Sequence, residues 1–192
     1  MNKFKDNKQF FFDEEDDFLV LRREAYKFTK DFLNTCRPGT KLLEIGPDND
    51  ENMDNNTSLL IKNHCKDNNI TYKTCNIIDG YDYKCDIAYM SSIINTKFDY
   101  IIANSVLEHV ELFYLVPLEV WKTLEINGKV LFITPFLFKI HGPAKDYWRI
   151  SPDGYKSLFG GYFKCNIESY PENQIEKNSF PLLINFIGSK NE

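Results

Sequence analysis

Between Phe18 and Leu33 the apolar residues Phe18, Leu21, Ala25, Phe28, Phe32 and Leu33 recur at helical spacing, which predicts an amphipathic helix. Arg37, Pro38 and Gly39 end it. KLLEIG, from Lys41 to Gly46, is short, apolar and bounded, and reads as a buried strand. A polar loop follows from Asp48 to Asn56, and a helix from Thr57 to Cys65. Ile70 to Ile78 reads as a second strand, CDIAY (Cys85 to Tyr89) as a third, and Phe98 to Ser105 as a fourth. Glu111 to Leu124 has a helical pattern with Pro117 inside it, so the proline either kinks the helix or marks its true first turn. Asn127-Gly128 predicts a turn leading into a buried strand over KVLFITPF. Ser151 as N-cap and Pro152 at the first helical position open a short helix to Phe159. FKCNIES and LLINFIG supply two further strands. Strands alternating with helices predict an α/β chain with a mostly parallel sheet, and the closing pair predicts an antiparallel finish.

The 192 residues are one domain's worth of chain, with residues 1–17 as an arm or lid, because that stretch is polar and acidic around Phe10, Phe11 and Phe12. A hydrophobic fraction of 43% excludes a disordered chain, and 16 Phe with 11 Tyr make core and pocket walls aromatic. The net charge of −5 argues against a nucleic-acid backbone as the main partner. The five cysteines are odd in number and lack a CxxC pair, as expected of reduced core thiols in a cytoplasmic protein. The N-terminal stretch lacks the apolar run of a signal peptide, and no stretch approaches the ~20 apolar residues of a membrane span. The spacing of His and Cys offers no metal cluster.

In an open parallel sheet, ligands sit beyond the carboxyl ends of the strands where the strand order reverses. The residues after each strand are therefore the candidates. After the first come Glu44, Gly46, Pro47, Asp48, Asn49 and Asp50, with Gly46 letting the backbone approach a ligand unobstructed. After the second come Asn76 and Asp79, suited to ribose hydroxyls. Asp86 and Ile87 pair an acceptor with an apolar wall, suited to adenine. After the fourth come Asn104, Ser105, Glu108 and His109.

LLEIGP, CDIAY, FDYIIANSVLEHV and LEINGKVLFITPF, in this order, resemble the class I S-adenosylmethionine-dependent methyltransferases of the type 11 group, across Leu42 to Phe159. HGPAKDYWRISPDG, His141 to Gly154, is similar to a segment after the fifth strand in a subset of these proteins, many of them encoded among cell-surface polysaccharide genes. The resemblance implies a Rossmann-like, seven-stranded, mostly parallel sheet with helices on both faces and an antiparallel C-terminal strand. It implies S-adenosyl-L-methionine as cofactor. Glu44 and Gly46, with Pro47 and Asp48, would flank its methionine part, Asp79 or Asn76 the ribose, Asp86 and Ile87 the adenine, and Asn104 and Ser105 the sulfonium. The family's first loop usually reads GxGxG, whereas here it is GPDND. Asp48 and Asp50 at the later glycine positions can repel the cofactor carboxylate, accept from its ammonium, or cap the next helix.

The expected activity is methyl transfer, with O-methylation of a small molecule or saccharide preferred. The runner-up is a non-catalytic methyltransferase fold serving as a binding or partner subunit. His141 is the candidate general base, because it lies past a strand's carboxyl end and histidine titrates near neutrality. Gly142 and Pro143 would set its direction, and the competing role is that of a loop anchor. His109 is a candidate acceptor contact. Tyr147, Trp148 and Arg149 are either a substrate wall or a structural corner in which Arg149 pairs with Asp146.

Overall fold

The computed structural model describes residues 14–48, 52–142, 144–171 and 180–190. The expected arm falls mostly outside them, as do Asn49, Asp50 and Pro143. Helices α1 (Glu14–Leu33), α2 (Thr57–Asp67), α3 (Val116–Thr123) and α4 (Pro152–Phe159) surround one sheet. Its strands are β1 (Lys41–Ile45), β2 (Thr71–Asn76), β3 (Tyr83–Lys84), β4 (Phe98–Asn104), β5 (Leu124–Pro135), β6 (Lys164–Tyr170) and β7 (Leu183–Ser189). The seven strands lie in the order β3-β2-β1-β4-β5-β7-β6. β7 slots between β5 and β6 and runs antiparallel to both, while all other pairings are parallel.

Alternation along the strands splits the core into two layers, because successive side chains point to opposite faces. Leu42, Tyr100, Ile102, Leu131 and Ile133 pack under α1 and α2. Leu43, Ile45, Ile101, Val130 and Phe132 pack under α3 and α4, beside the aromatic group Tyr155, Phe159 and Phe186. The helices therefore cover both faces, as the resemblance implied.

Local signals explain most element boundaries. Ser151 Oγ accepts the Gly154 N–H at 3.1 Å, closing the N-terminus of α4 as read from sequence. Pro117 lies in the first turn of α3, so the helix begins at Val116 and the stretch from Glu111 is outside it. A proline there has no amide proton to leave unsatisfied. Helix α1 starts earlier than its apolar pattern, at Glu14.

Two readings need correction. CDIAY is not a strand: the Asp86 carboxylate accepts the Ala88 N–H at 2.9 Å and starts a 3-10 segment, Ile87–Ser92. An Asx cap of this kind outcompetes extended pairing, and a short apolar run does not distinguish the two by periodicity. The third strand is the two-residue Tyr83–Lys84 instead. Asn127-Gly128 is not a turn between elements but a bulge within β5. Across it the register jumps from Phe98↔Leu124 to Tyr100↔Lys129, and Asn127 adopts φ +64°. A Cβ on Gly128 would meet the Glu125 carbonyl oxygen at 2.8 Å and that of Asp99 at 3.0 Å, so the bulge has room only for glycine. No helix among the described residues is long and apolar enough to cross a membrane.

Candidate functional site

Strand order reverses between β1 and β4, since the chain runs outward through β2 and β3 on one side and through β5 on the other. A cavity of about 270 Å³ opens at this point. Its floor is Glu44, Gly46, Asn104, Ser105 and Pro135 from the strand ends. One wall is the α1 stripe Phe18, Leu21, Arg22 and Ala25, another is Asp48 with Asn55, Thr57 and Ser58, and Phe138, His109 and His141 close the far side. Five expected cofactor residues thus share one cavity with two expected acceptor-side histidines.

The β1 loop adopts its path for identifiable reasons. Gly46 has φ +65° and donates its N–H to the Cys75 carbonyl at 2.9 Å. A Cβ there would lie 2.6 Å from Val106 Cγ2, so both the backbone angle and the contact call for glycine. Glu44 is 2% exposed, and its carboxylate accepts from Ser58 Oγ and Tyr72 OH. Burial raises its pKa, against those two hydrogen bonds. Asp48 does not cap α2; Asn56 does, accepting the Leu59 N–H at 2.7 Å. Asp48 instead pairs with Arg22 at 3.1 Å, and its own N–H donates to Ser58 Oγ at 2.8 Å. Arg22 Nε also donates to the Asp54 carbonyl. The sequence reading missed Arg22, whose only signal was a cation interrupting the apolar stripe of α1. Asn104 Nδ2 donates to Thr29 Oγ1 at 3.2 Å, while its Oδ1 is buried with no partner among the described residues. Ser105 has φ +50° at the same strand end.

The segment after β5 folds back over the β4 end. The Glu108 carbonyl accepts the Tyr147 N–H at 2.7 Å and the Trp148 N–H at 3.2 Å. Arg149 grips Asp146 through both guanidinium ends and donates to the Phe138 and Lys139 carbonyls. Its guanidinium holds the Asp146 carboxyl down at about 2. Asp146 Oδ2 in turn accepts the His141 backbone N–H at 3.0 Å and lies 3.0 Å from His141 Nδ1. The Trp148 indole donates to the Val110 carbonyl at 2.9 Å, and the Tyr147 hydroxyl reaches Glu111. Tyr147, Trp148 and Arg149 therefore form a corner that aims His141, and none of the three lines the cavity. Arg149→Ala should cost about 2–3 kcal/mol in urea unfolding, because it strands the Asp146 carboxylate. It should also speed proteolysis around residues 139–149; unchanged stability and cleavage would mean the strap is held by its backbone alone.

His109 and His141 meet edge to face with centroids 4.8 Å apart. Glu108 lies beneath them, 0% exposed, with neither carboxylate oxygen hydrogen-bonded among the described residues. Burial pushes its carboxyl up to about 8. One ligand atom from each of Glu108, His109 and His141 falls within 4.8 Å of the others, an arrangement that can hold a metal ion. The chain spacing concealed this cluster, because the two histidines come from different strand ends.

Pro47, expected at the methionine part, lines a neighbouring groove of about 220 Å³ with Asp48, Tyr72 and Thr74 instead. The nucleoside-side candidates are not gathered into the cavity either. Asn76 accepts the Ile77 N–H, Asp79 is 85% exposed and paired with Lys84, Asp86 caps its 3-10 segment, and Ile87 is buried in the core.

No family profile matches the chain, and no curated protein matches it. Solved structures do. A SAM-dependent methyltransferase from Archaeoglobus fulgidus is 15% identical with a TM-score of 0.62, over 91% of this chain and 94% of that one. Phosphoethanolamine N-methyltransferase 2 of Haemonchus contortus, in complex with S-adenosyl-L-methionine, is 10% identical with a TM-score of 0.61, over 88% of this chain. The present chain spans only 53% of that enzyme's length. The [4+2]-cyclase SpnF is 13% identical with a TM-score of 0.62, over 88% of this chain and 82% of that one. The chain has the class I, Rossmann-like methyltransferase fold, shared with proteins of differing chemistry.

Proposed function

We propose that this protein is an S-adenosylmethionine-dependent methyltransferase acting on a small-molecule or saccharide acceptor, with transfer to a hydroxyl oxygen. The observation that carries the reading is the cavity at the β1/β4 reversal. It offers a guanidinium (Arg22), a carboxylate (Asp48) and an orphaned amide oxygen (Asn104) around a glycine that leaves the backbone bare. That set matches a zwitterionic amino-acid head: Arg22 takes the carboxylate, while Asp48 and Asn104 Oδ1 accept from the ammonium. Asp48 thereby binds the cofactor rather than repelling it. Ser105 lies at the sulfonium, Asn76 or Asp79 takes the ribose, and Asp86 with Ile87 the adenine. The resemblance of His141 to Gly154 favours an acceptor of the cell-surface polysaccharide class, in a cytoplasmic setting.

Methyl transfer is a displacement in line with the leaving sulfur, so alignment supplies much of the rate. His141 stands on the acceptor side, its Nδ1 3.3 Å from the Lys139 carbonyl oxygen and its backbone N–H donated to Asp146, contacts that orient the ring as a general base requires. Its Nε2 is the atom that receives the acceptor's hydroxyl proton. His109 adds a second contact on that side.

S-adenosylhomocysteine should raise the melting temperature at saturation, since it binds the native state alone. Arg22→Ala should weaken its binding by roughly tenfold or more, the worth of one charge-assisted pair. Thermal melting checks the first and calorimetric titration the second, and no binding at millimolar ligand would favour the second reading, a non-catalytic partner subunit. The local engagement of Asp79 with Lys84 and of Asp86 with Ala88 favours that rival, and one fold hosting several chemistries keeps it alive.

A further inference from the structure

Four acidic residues are buried among the described residues, Glu24, Glu44, Glu108 and Glu119, besides the Asp146 side chain, which Arg149 holds. Three have partners. Glu24 meets Lys27 and Arg23, Glu44 meets Ser58 and Tyr72, and Glu119 meets the Ser91 N–H and Lys122. Glu108 alone has both oxygens buried and unsatisfied. A buried carboxyl in that condition is costly, and its neighbourhood should contain what satisfies it. What faces it is a pair of imidazoles. His109 Nε2 is 3.9 Å and His141 Nε2 is 4.0 Å from the same oxygen, Oε1. These separations are too long for hydrogen bonds. They are close to the spacing of two donors sharing one ion, about 3.3–3.5 Å for ligand bonds near 2.1 Å.

The other nitrogen of each ring is already engaged. His109 Nδ1 lies 2.9 Å from the Lys145 carbonyl oxygen, and His141 Nδ1 lies 3.3 Å from the Lys139 carbonyl oxygen, with Asp146 Oδ2 beside it at 3.0 Å. An Nδ1–H donated to a carbonyl or carboxylate leaves the Nε2 lone pair for a metal, the usual outer arrangement of metal-bound histidine. Both outer acceptors belong to the strap after β5, which is tied to the Glu108 carbonyl by the Tyr147 and Trp148 amides and braced internally by the Arg149–Asp146 pair. The strap thus sets the carboxylate and both rings in one geometry.

We infer that Glu108, His109 and His141 form a two-histidine, one-carboxylate site for a divalent transition cation of the zinc and iron(II) class, on the acceptor side of the cavity. Two imidazoles with one carboxylate favour zinc and iron(II) over magnesium and calcium, which prefer oxygen donors. Three protein ligands leave coordination positions open, and both histidines line the cavity, so those positions face an oxygen of the acceptor. The inference rests on the methyltransferase reading only for the identity of that acceptor. In the loaded protein His141 Nε2 is a ligand, and its role as a free base belongs to the metal-free protein.

The test uses the full chain, stripped with chelator and titrated with Zn²⁺ alone by calorimetry, then with Co²⁺ by visible absorption. One Zn²⁺ per chain is expected. His109→Ala and His141→Ala should each weaken binding about 100-fold or more, with metal-free melting curves showing that both variants fold. Should either fail to fold, Glu108→Gln, which keeps the shape and removes the charge, should show the same loss. The Co²⁺ spectrum should lack a sulfur-to-metal charge-transfer band, because the site holds no sulfur; such a band would report binding at the free thiols Cys36, Cys65, Cys75, Cys85 or Cys165 instead. Binding that survives all three substitutions, a sulfur band, or no binding at submillimolar Zn²⁺ would overturn the site. S-adenosylhomocysteine titrated into the same samples reports separately on the cofactor: its failure with zinc retained counts against the methyltransferase reading and leaves the cation site standing.

Discussion

Gly46→Val is expected to abolish binding of S-adenosylhomocysteine and to destabilise the protein by about 2–4 kcal/mol, the sum of a left-handed backbone penalty and overpacking. From sequence alone a valine here should block the ligand and leave the fold intact. The structure corrects the second half. At φ +65° a β-branched residue is strained, and its Cβ would lie 2.6 Å from Val106 Cγ2. Val106 immediately precedes the 3-10 turn Leu107–His109, so the displacement reaches the histidine cluster as well. Urea unfolding measures the stability loss. The double variant Gly46→Val with Val106→Ala separates the two effects: stability should return in part, because the crowding atoms are gone, while ligand binding stays lost. Recovery of ligand binding in the double variant would show that Gly46 acts only through Val106.

The second large effect is a pH dependence that runs against the usual acid lability. In chelator, the protein should lose stability as pH rises from about 4.5 to about 8. The Glu108 carboxyl moves from its ordinary 4.5 up to about 8 on folding, because burial disfavours its charged form. Within that window the unfolded chain has released the proton that the folded chain still holds, so raising the pH favours unfolding. The contribution is complete below pH 4.5 and gone above the folded value. At about 1.4 kcal/mol for each pH unit the window spans, the effect is on the order of several kcal/mol. Glu44, also raised by burial, acts in the same direction. Asp146 acts oppositely and lower down: its carboxyl sits near 2 beside Arg149, so its stabilisation is lost only as the pH falls from about 3.8 toward 2. Melting temperature measured across pH 3 to 9 should peak on the acid side. Glu108→Gln, which carries no titrating proton, should flatten the decline. Parallel curves for the two proteins would mean that Glu108 is already ionised in the fold.

The amphipathic stripe of α1, the apolar runs of β1, β4 and β5, the Ser151-Pro152 start of α4 and the need for glycine at position 46 were all legible along the chain. Each depends on neighbours within a few residues, where periodicity, capping and backbone sterics act. The α/β order follows from the same local signals, and with it the end of the sheet at which a ligand belongs. Short competing elements were not legible. Asp86 capping a 3-10 segment in place of a third strand, and Asn127-Gly128 bulging within β5 rather than ending it, were decided by side-chain and cross-strand partners. The chemistry of the site depended on contacts between distant stretches. Arg22 meets Asp48 across 26 positions, and the Glu108 carbonyl takes the Tyr147 and Trp148 amides from the far side of β5. Sequence determined which residues stand at the strand ends. Only the folded chain decided that His141 turns toward His109 over a buried, unsatisfied carboxylate, because that arrangement is fixed by the Arg149–Asp146 grip and by desolvation, neither of which has a local signature.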